Sequence, residues 1–341
     1  MIEQFSKEAD GTQALAGVYD MDIICLGEML IDMFPAENGR RLAEVSAFHP
    51  KPGGAPANVA VAAARLERSS AFIGKVGDDA FGHFLIETLV REGVETKGMR
   101  LAQEARTTMA FIAKPDAYSA EFVFYRNPGA DMLLRADELD HDLLTRTKAL
   151  HIGSISLISE PSRGATVEAV RLAKAAGALI SFDVNYRPSL WPEPEEATAI
   201  IEKMLPQADL GKVNEEELQL LSGTGDHSAG SEELLGKGPA LCVVTLGANG
   251  SYFRSQSGEG RVPPFSVKTV DAVGCGDAFT AGLLCRITGY ADWRAALAPQ
   301  QMVANLRYAN AVGALTALAP GVIPALPTAA AVESFLQEKM H

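Results

Sequence analysis

Short apolar runs alternate with helix-prone stretches along most of this chain, and that rhythm narrows the fold more than any other feature. Residues 22–26 (DIICL), 70–76, 149–152, 179–182, 208–212 and 241–245 read as strands. Residues 58–66 and 80–92 read as helices, and each later strand is followed by a helical stretch or a turn. Such alternation calls for a parallel sheet covered on both faces. The expected fold class is α/β, a three-layer α/β/α domain with a mainly parallel central sheet. Residues 107–114 and 120–125, with the polar segment 40–49, fall out of the rhythm. They are expected to form a small β-sheet standing off the main domain, its strands inserted at about 40–50 and 98–127.

Composition removes several function classes. The 341 residues are 47% hydrophobic and 21% charged, enough for one large domain. A formal charge of -13 argues against nucleic acid and anionic membranes as partners, while a local site can still oppose the net sign for a small anion. Cys25, Cys242, Cys275 and Cys285 lack metal-knuckle spacing, and no secretory segment opens the sequence, so a reduced, cytoplasmic protein is expected. The longest apolar run, 309–319, is broken by Asn310, Gly313 and Thr316 and followed by Pro320, so no membrane span is expected. Residues 1–21 read as a flexible tail, with Met21 an alternative start, leaving 22–341 as the folded domain.

The strand ends carry most of the polar residues of interest, and in open parallel sheets ligands bind there. Asp32 follows the first strand; Asp183, Asn185 and Arg187 follow the fourth; Asn214 and Glu217 follow the fifth; Thr245 and Gly247 follow the sixth. Gly274-Cys275-Gly276-Asp277 runs into an apolar helical segment. Glycines let backbone N–H groups approach an anion at a helix N-terminus, and a carboxylate there is suited to taking a proton from an attacking hydroxyl. A plain N-cap aspartate fits the same four residues. Gly53-Gly54 followed by Asn58 offers close backbone approach and an amide, or simply a helix-opening turn. Asn214 and Glu217 could hold Mg²⁺ through waters, or form a capping box. Thr245 to Gly250 could cradle a nucleotide, or join a hairpin. Arg126 could reach a sugar or phosphate oxygen, or make a surface ion pair. A P-loop and a Gly-x-Ser-x-Gly elbow are absent, the dinucleotide fingerprint is a poor match, and the histidines show no metal-binding pairing.

In their order along the chain these motifs resemble the ribokinase-like (PfkB) carbohydrate kinases. The resemblance covers nearly everything after about Met21, with fructokinase-like segments at 25–32, 52–60, 72–82, 124–132 and 153–158. It implies a ribokinase-like domain whose small sheet acts as a lid, and it implies roles. Asp277 is the base, with the N–H groups of Gly274, Cys275 and Gly276 as the anion hole. Asp32, Gly53, Gly54 and Asn58 hold sugar hydroxyls, and Arg126 closes over the sugar. Thr245, Gly247, Gly250 and Asn310 line the nucleotide. Asn214 approaches its phosphates, with Asn185 and Arg187 nearby. Glu217 orders Mg²⁺ through water, and Asp271 with Val273 and Gly321 holds a monovalent cation such as K⁺. Ala272 and Cys275 depart from the usual Thr and Ala, and Val184 from the usual Pro, without removing a backbone donor or the base. The implied activity is ATP-dependent phosphorylation of D-fructose to D-fructose 6-phosphate; a homodimer that packs lid against lid is expected to hide the apolar face of the small sheet. Sibling kinases acting on 2-keto-3-deoxygluconate, ribose or a nucleoside are the nearest alternatives; a non-catalytic sugar-binding protein is the alternative of another class.

Overall fold

The computed structural model describes residues 19–113, 115 and 121–339. In chain order the first half runs β1 (Met21–Leu26), β2 (Leu30–Pro35), β3 (Phe48–Gly53), α1 (Ala55–Arg65), β4 (Ser70–Gly77), α2 (Ala80–Arg91), β5 (Glu95–Ala102), β6 (Met109–Ala113), β7 (Glu121–Tyr125), α3 (His141–Thr145) and β8 (Thr147–Gly153). The second half continues with α4 (Ser162–Ala175), β9 (Leu179–Asp183), α5 (Pro194–Met204), β10 (Leu210–Asn214), α6 (Glu215–Ser222), α7 (His227–Gly236) and β11 (Leu241–Thr245). It closes with β12 (Ser251–Ser255), β13 (Gly258–Val262), α8 (Cys275–Ile287), α9 (Pro299–Thr316) and α10 (Ala329–Glu338).

The main sheet has nine strands in the order β13-β12-β11-β10-β9-β8-β1-β4-β5. It is parallel from β5 to β11, and β12 and β13 extend it as antiparallel strands. Period-two alternation divides its side chains between two helical layers. On β1, Ile23 and Cys25 join the layer of α1, α8 and α9, while Ile24 and Leu26 join that of α4, α5 and α7. All four are fully buried. The alanine-rich face of α1 (Ala57, Ala60, Val61) packs against α8, which brings two helix N-termini to one place.

A separate four-stranded sheet, in the order β3-β2-β6-β7, rises from the main one. Its register places Asp32, Ala110 and Phe124 on one face, and Met33, Phe111 and Val123 on the other.

Four expectations change. Residues 98–102 belong to β5, at the edge of the main sheet, because Gly98 and Met99 pair with Ile73 and Gly74 of β4. The small sheet instead gains β2, so Asp32 sits on a strand rather than in a loop after β1. Of residues 40–50 only 48–50 are strand, at the start of β3; 42–44 form a short 3-10 helix. At the N-terminus, residues 1–18 lie outside the described part, but 19–21 are tied down. The Tyr19 hydroxyl donates to Ala176 O at 3.2 Å, and the Asp20 and Met21 amides donate to Arg146 O. The hairpin of β12 and β13 was not expected, since its short polar strands lack an apolar run.

Candidate active site

The turn before α8 is built for close backbone approach. Gly274 is the helix N-cap, with φ 80° and ψ -4° in the left-handed region. A Cβ there would lie 2.2 Å from Val322 Cγ1, so both conformation and space demand glycine. Among the described residues the N–H groups of Gly274 and Gly276 have no partner, while that of Cys275 makes a long 3.3 Å bond to Ala272 O. Unpaired donors at a helix N-terminus make an anion site. The Cys275 thiol is pushed up to about 12 by burial and by Asp271 and Asp277, so it stays protonated and the residue contributes backbone.

Asp277 stands in the first turn of α8, and the Asn58 amide of α1 donates to its Oδ2 at 2.8 Å. Burial raises its carboxyl to about 6; the Asn58 bond holds it down, the Asp183 charge raises it, and Lys212 and Arg187 lower it. Asn58 Oδ1 is buried with no partner among the described residues, an acceptor left over beside Asp277. Asp32 approaches from β2: burial raises it to about 7, the Asp277 charge adds to this, and Arg187 opposes it. A Cβ on Gly53 would fall 2.0 Å from Asp32 Oδ2, and one on Gly54 (φ 107°) 2.4 Å from Glu28 O. The glycine pair therefore lets β2 and the start of α1 close around the carboxylate. The five residues Asp32, Gly53, Gly54, Asn58 and Asp277 come together as the sequence order implies.

Arg126 stands apart from that group. It is buried, its Nε donates to Asp131 Oδ2 at 2.8 Å, and its Nη2 donates to Ile155 O at 3.3 Å. The surface ion pair weighed for it is thus a buried one. Breaking such a pair leaves a charge uncompensated, so it anchors the foot of the small sheet.

On the far side of the turn, Asn214 and Glu217 form the capping box at the start of α6. Asn214 Oδ1 accepts from Glu217 N, and Glu217 Oε2 accepts from Asn214 N, both at 2.8 Å. Glu217 Oε1 also accepts from Tyr186 N at 2.7 Å, which fixes the segment after β9 that carries Asn185 (φ 39°) and Arg187. Thr245, whose hydroxyl donates to Val213 O at 3.3 Å, leads into the turn through Gly247 and Gly250 that joins β11 to antiparallel β12. The hairpin reading of this turn therefore holds, and the turn still lies at the carboxyl end of β11. The Asn310 amide donates to Pro263 O at 3.1 Å and faces the same end of the sheet. Asp271 gathers the remaining trio, its Oδ1 accepting from Val273 N at 3.1 Å and its Oδ2 from Gly321 N at 3.3 Å.

Two residues at the centre were given no role by sequence reasoning. Lys212 Nζ donates to Asp183 Oδ2 at 2.8 Å, both side chains being buried. A lysine inside the otherwise uncharged strand Leu-Gly-Lys-Val-Asn was the available signal. Glu28 is the other: its Oε1 accepts from Ala55 N at 3.1 Å, holding the first turn of the helix that carries Asn58. Burial pushes Glu28 up to about 8, leaving it a neutral acid at pH 7.

A carboxylate held by an amide, beside backbone donors without partners among the described residues at a helix N-terminus, is an arrangement that could take a proton and hold an anion. Residues 20–329 match the model of the pfkB family carbohydrate kinases, and the chain belongs to that family. It is 46% identical to probable fructokinase-4 of Arabidopsis thaliana over 319 residues, 92% of this chain and 96% of that protein. Among solved structures, it resembles a fructokinase with bound ATP from Xylella fastidiosa at TM-score 0.86 and 36% identity, covering 94% of this chain and 99% of the other. It also resembles a fructokinase double mutant from Vibrio cholerae O395 in a fructose, ADP and potassium ion bound form, at TM-score 0.83 and 34% identity, covering 94% and 99%.

Proposed function

We propose that this chain is a fructokinase, transferring the terminal phosphoryl group of ATP to D-fructose and releasing D-fructose 6-phosphate and ADP. The observation that carries the reading is the 2.8 Å bond from Asn58 to Asp277 beside the open N–H groups of Gly274 and Gly276. It puts a proton acceptor and an anion site within one helical turn. Asp32, Gly53, Gly54 and Asn58 hold the sugar hydroxyls, and Arg126, paired with Asp131, holds the foot of the small sheet beside them. As the sugar oxygen bonds to phosphorus and the bond to ADP breaks, the hydroxyl proton passes to Asp277. Negative charge on the transferring group meets Gly274, Cys275 and Gly276, an arrangement that acts by positioning and field rather than covalent chemistry.

The nucleotide lies along Thr245, Gly247, Gly250 and Asn310, with its phosphates toward Asn214, Asn185 and Arg187. Among the described residues no group of three or more His, Cys, Asp or Glu side chains is placed to hold a metal ion. Mg²⁺ does not need one, since it keeps its waters and binds through phosphates and one or two carboxylates. Glu217 fits that part: its two oxygens each take one backbone hydrogen bond, and further lone pairs remain for water. Bound Mg²⁺ would neutralise charge on the phosphates. Asp271, Val273 and Gly321 are joined by hydrogen bonds, which suits a K⁺ site formed with neighbouring carbonyls. The four cysteines are free thiols, in keeping with a cytoplasmic protein, and no helix among the described residues is long and apolar enough to cross a membrane.

A panel of fructose, glucose, ribose, 2-keto-3-deoxygluconate and a nucleoside with MgATP, read by ADP release, tests the substrate. Fructose is expected to be turned over fastest. Turnover of a sibling substrate without fructose would transfer the site to that sugar, and binding of sugar with no ADP release would favour the non-catalytic reading.

A second copy of the chain covers the small sheet in this proposal. Val123 and Tyr125 are 43% and 63% exposed there. They border a hollow of about 430 Å³ with Phe48 and Phe111, whose rings meet edge-on at 5.1 Å. Exposed apolar surface of this kind marks an interface. Light scattering is expected to give the mass of a dimer, and Tyr125→Asp to shift it toward the monomer; a monomeric mass for the unaltered protein would dismiss the idea.

A further inference from the structure

Lys212 lies at the junction of three elements. It leaves β10 beneath the anion-binding turn, and its side chain is only 9% exposed. Its Nζ donates to Asp183 Oδ2 of β9 at 2.8 Å, and Thr280 of α8 donates to the same oxygen at 3.4 Å. A Cβ on Gly276 would lie 3.3 Å from that ammonium, so the charge sits close beside the turn. One cation thus touches the ends of two strands and the first turn of the helix that carries Asp277.

A buried ion pair is a poor device for stability. Desolvating both charges costs several kcal/mol per ion, and apolar residues of similar volume often serve as well. The position of this pair gives the charge another use. Burial works against the Lys212 charge, but Asp183, Glu217 and Asp277 together raise it above the ordinary lysine range. Asp183 keeps a second oxygen buried with no partner among the described residues, so its negative charge is only half met.

We propose that Lys212 is a positioning residue for phosphoryl transfer, its ammonium tying the end of β9 to the 274–276 turn that carries Asp277 as the sugar site closes. This rests on the reading of Asp277 as the base. The groups acting on Asp277 can be named: the neutral Asn58 amide from α1, Asp32 from β2, Asp183 from β9, Lys212 from β10, Arg187 from the segment after β9, and the Cys275 thiol on its own helix. Asp183 therefore presses a proton onto Asp277, the Asp277 charge in turn presses one onto Asp32, and two cations with the Asn58 amide resist at Asp277. Expelling water strengthens every one of these interactions. Without Lys212, only Arg187 and the Asn58 amide oppose burial and Asp183, and Asp277 keeps its proton to higher pH. A protonated Asp277 cannot accept the hydroxyl proton, so rate is lost from the acid side upward.

The test uses the full chain and whichever sugar the panel identifies, so that a wrong sugar does not count against Lys212. Rates are measured from pH 5.5 to 9 for the wild type and for Lys212→Met, Lys212→Gln and Lys212→Arg, with melting curves for each. Glutamine keeps a donor for Asp183 while removing the charge. Expected for Lys212→Gln are a kcat lower by about 10²-fold, as for other groups that stabilise transition-state charge, and a sugar KM within about threefold of wild type. The acid limb of kcat/KM is expected to move up by about one pH unit, corresponding to about a tenfold change in proton affinity. Lys212→Arg, which keeps the charge but crowds Gly276, should hold the acid limb in place even where kcat falls. A folded Lys212→Gln with wild-type kcat and an unmoved limb overturns the proposal. So does a loss in Lys212→Met that melting alone accounts for while Lys212→Gln stays fully active.

Discussion

Replacing Asp277 with Asn is expected to lower kcat for fructose phosphorylation by on the order of 10²–10⁴-fold, the usual worth of a general base. The substitution preserves shape, and Asn58 can still pair with the new amide through its own oxygen, which has no partner among the described residues. Sugar affinity should therefore stay within a few-fold, measured by calorimetry with fructose and no nucleotide. Asp183 is a poor substitute as acceptor, since Lys212 and Thr280 already engage it. Because kcat falls and binding does not, the loss would sit in the transition state rather than the ground state. Full activity in Asp277→Asn would remove the aspartate from the chemistry and return it to the N-cap role that its sequence alone equally allows.

Gly274→Ala is expected to be nearly as damaging, for a reason confined to backbone. The residue sits at φ 80°, and a methyl group would be driven to 2.2 Å from Val322 Cγ1. Left-handed backbone costs a non-glycine residue roughly 1–2 kcal/mol, and the clash forces the turn or the 321–323 segment to move. A displacement of about 1 Å at a reacting centre can cost about 10²-fold in rate. The same movement reaches the Asp271 bond to Gly321, beside Val322. Steady-state kinetics should show kcat down about 10²-fold. Adding Val322→Ala makes room for the methyl group, and the double variant should recover part of the rate while retaining the cost of the left-handed residue. Gly274→Ala with kcat within about threefold of wild type would show that the turn tolerates the shift and that its N–H groups are not held in place for catalysis.

Both expectations depend on contacts across long stretches of chain. Asn58 and Asp277 are 219 residues apart in sequence and 2.8 Å apart in space. Their types were legible: a Gly-Gly turn before an amide, and a Gly-x-Gly turn before a carboxylate, each at a helix start. Each also had an ordinary explanation, and some of those hold. Asn214 and Glu217 do form a capping box, and the 246–250 turn does join a hairpin. Local hydrogen bonding of this kind leaves room for ligand contacts, because a carboxylate or an amide has more than one bond to give.

Lys212 shows where sequence reasoning stops. Inside a strand it breaks the apolar pattern, which marks it as unusual but names no partner. Only the parallel pairing of β9 with β10, which sets Lys212 beside Asp183, and the seating of α8 on that edge give the charge its neighbours. Glu28 is similar. Its burial and its bond to the start of α1 arise because β2 turns away from the main sheet into the small one.

The amino-acid sequence by itself determined the layered α/β architecture, since uniformly apolar strands between amphipathic helices have few other ways to bury both faces. It also determined which residues could bear the chemistry, through glycine turns at helix starts. The tertiary structure decided which strands form the small sheet, moving 98–102 to the main sheet and bringing Asp32 onto β2. It decided that Arg126 serves as a buried anchor, and that Asp277 is raised to about 6 by burial, with the Asn58 amide, Lys212 and Arg187 holding it down against Asp183. Those outcomes depend on desolvation and on distances between charges, and both come into being only when separate segments of the chain are packed together.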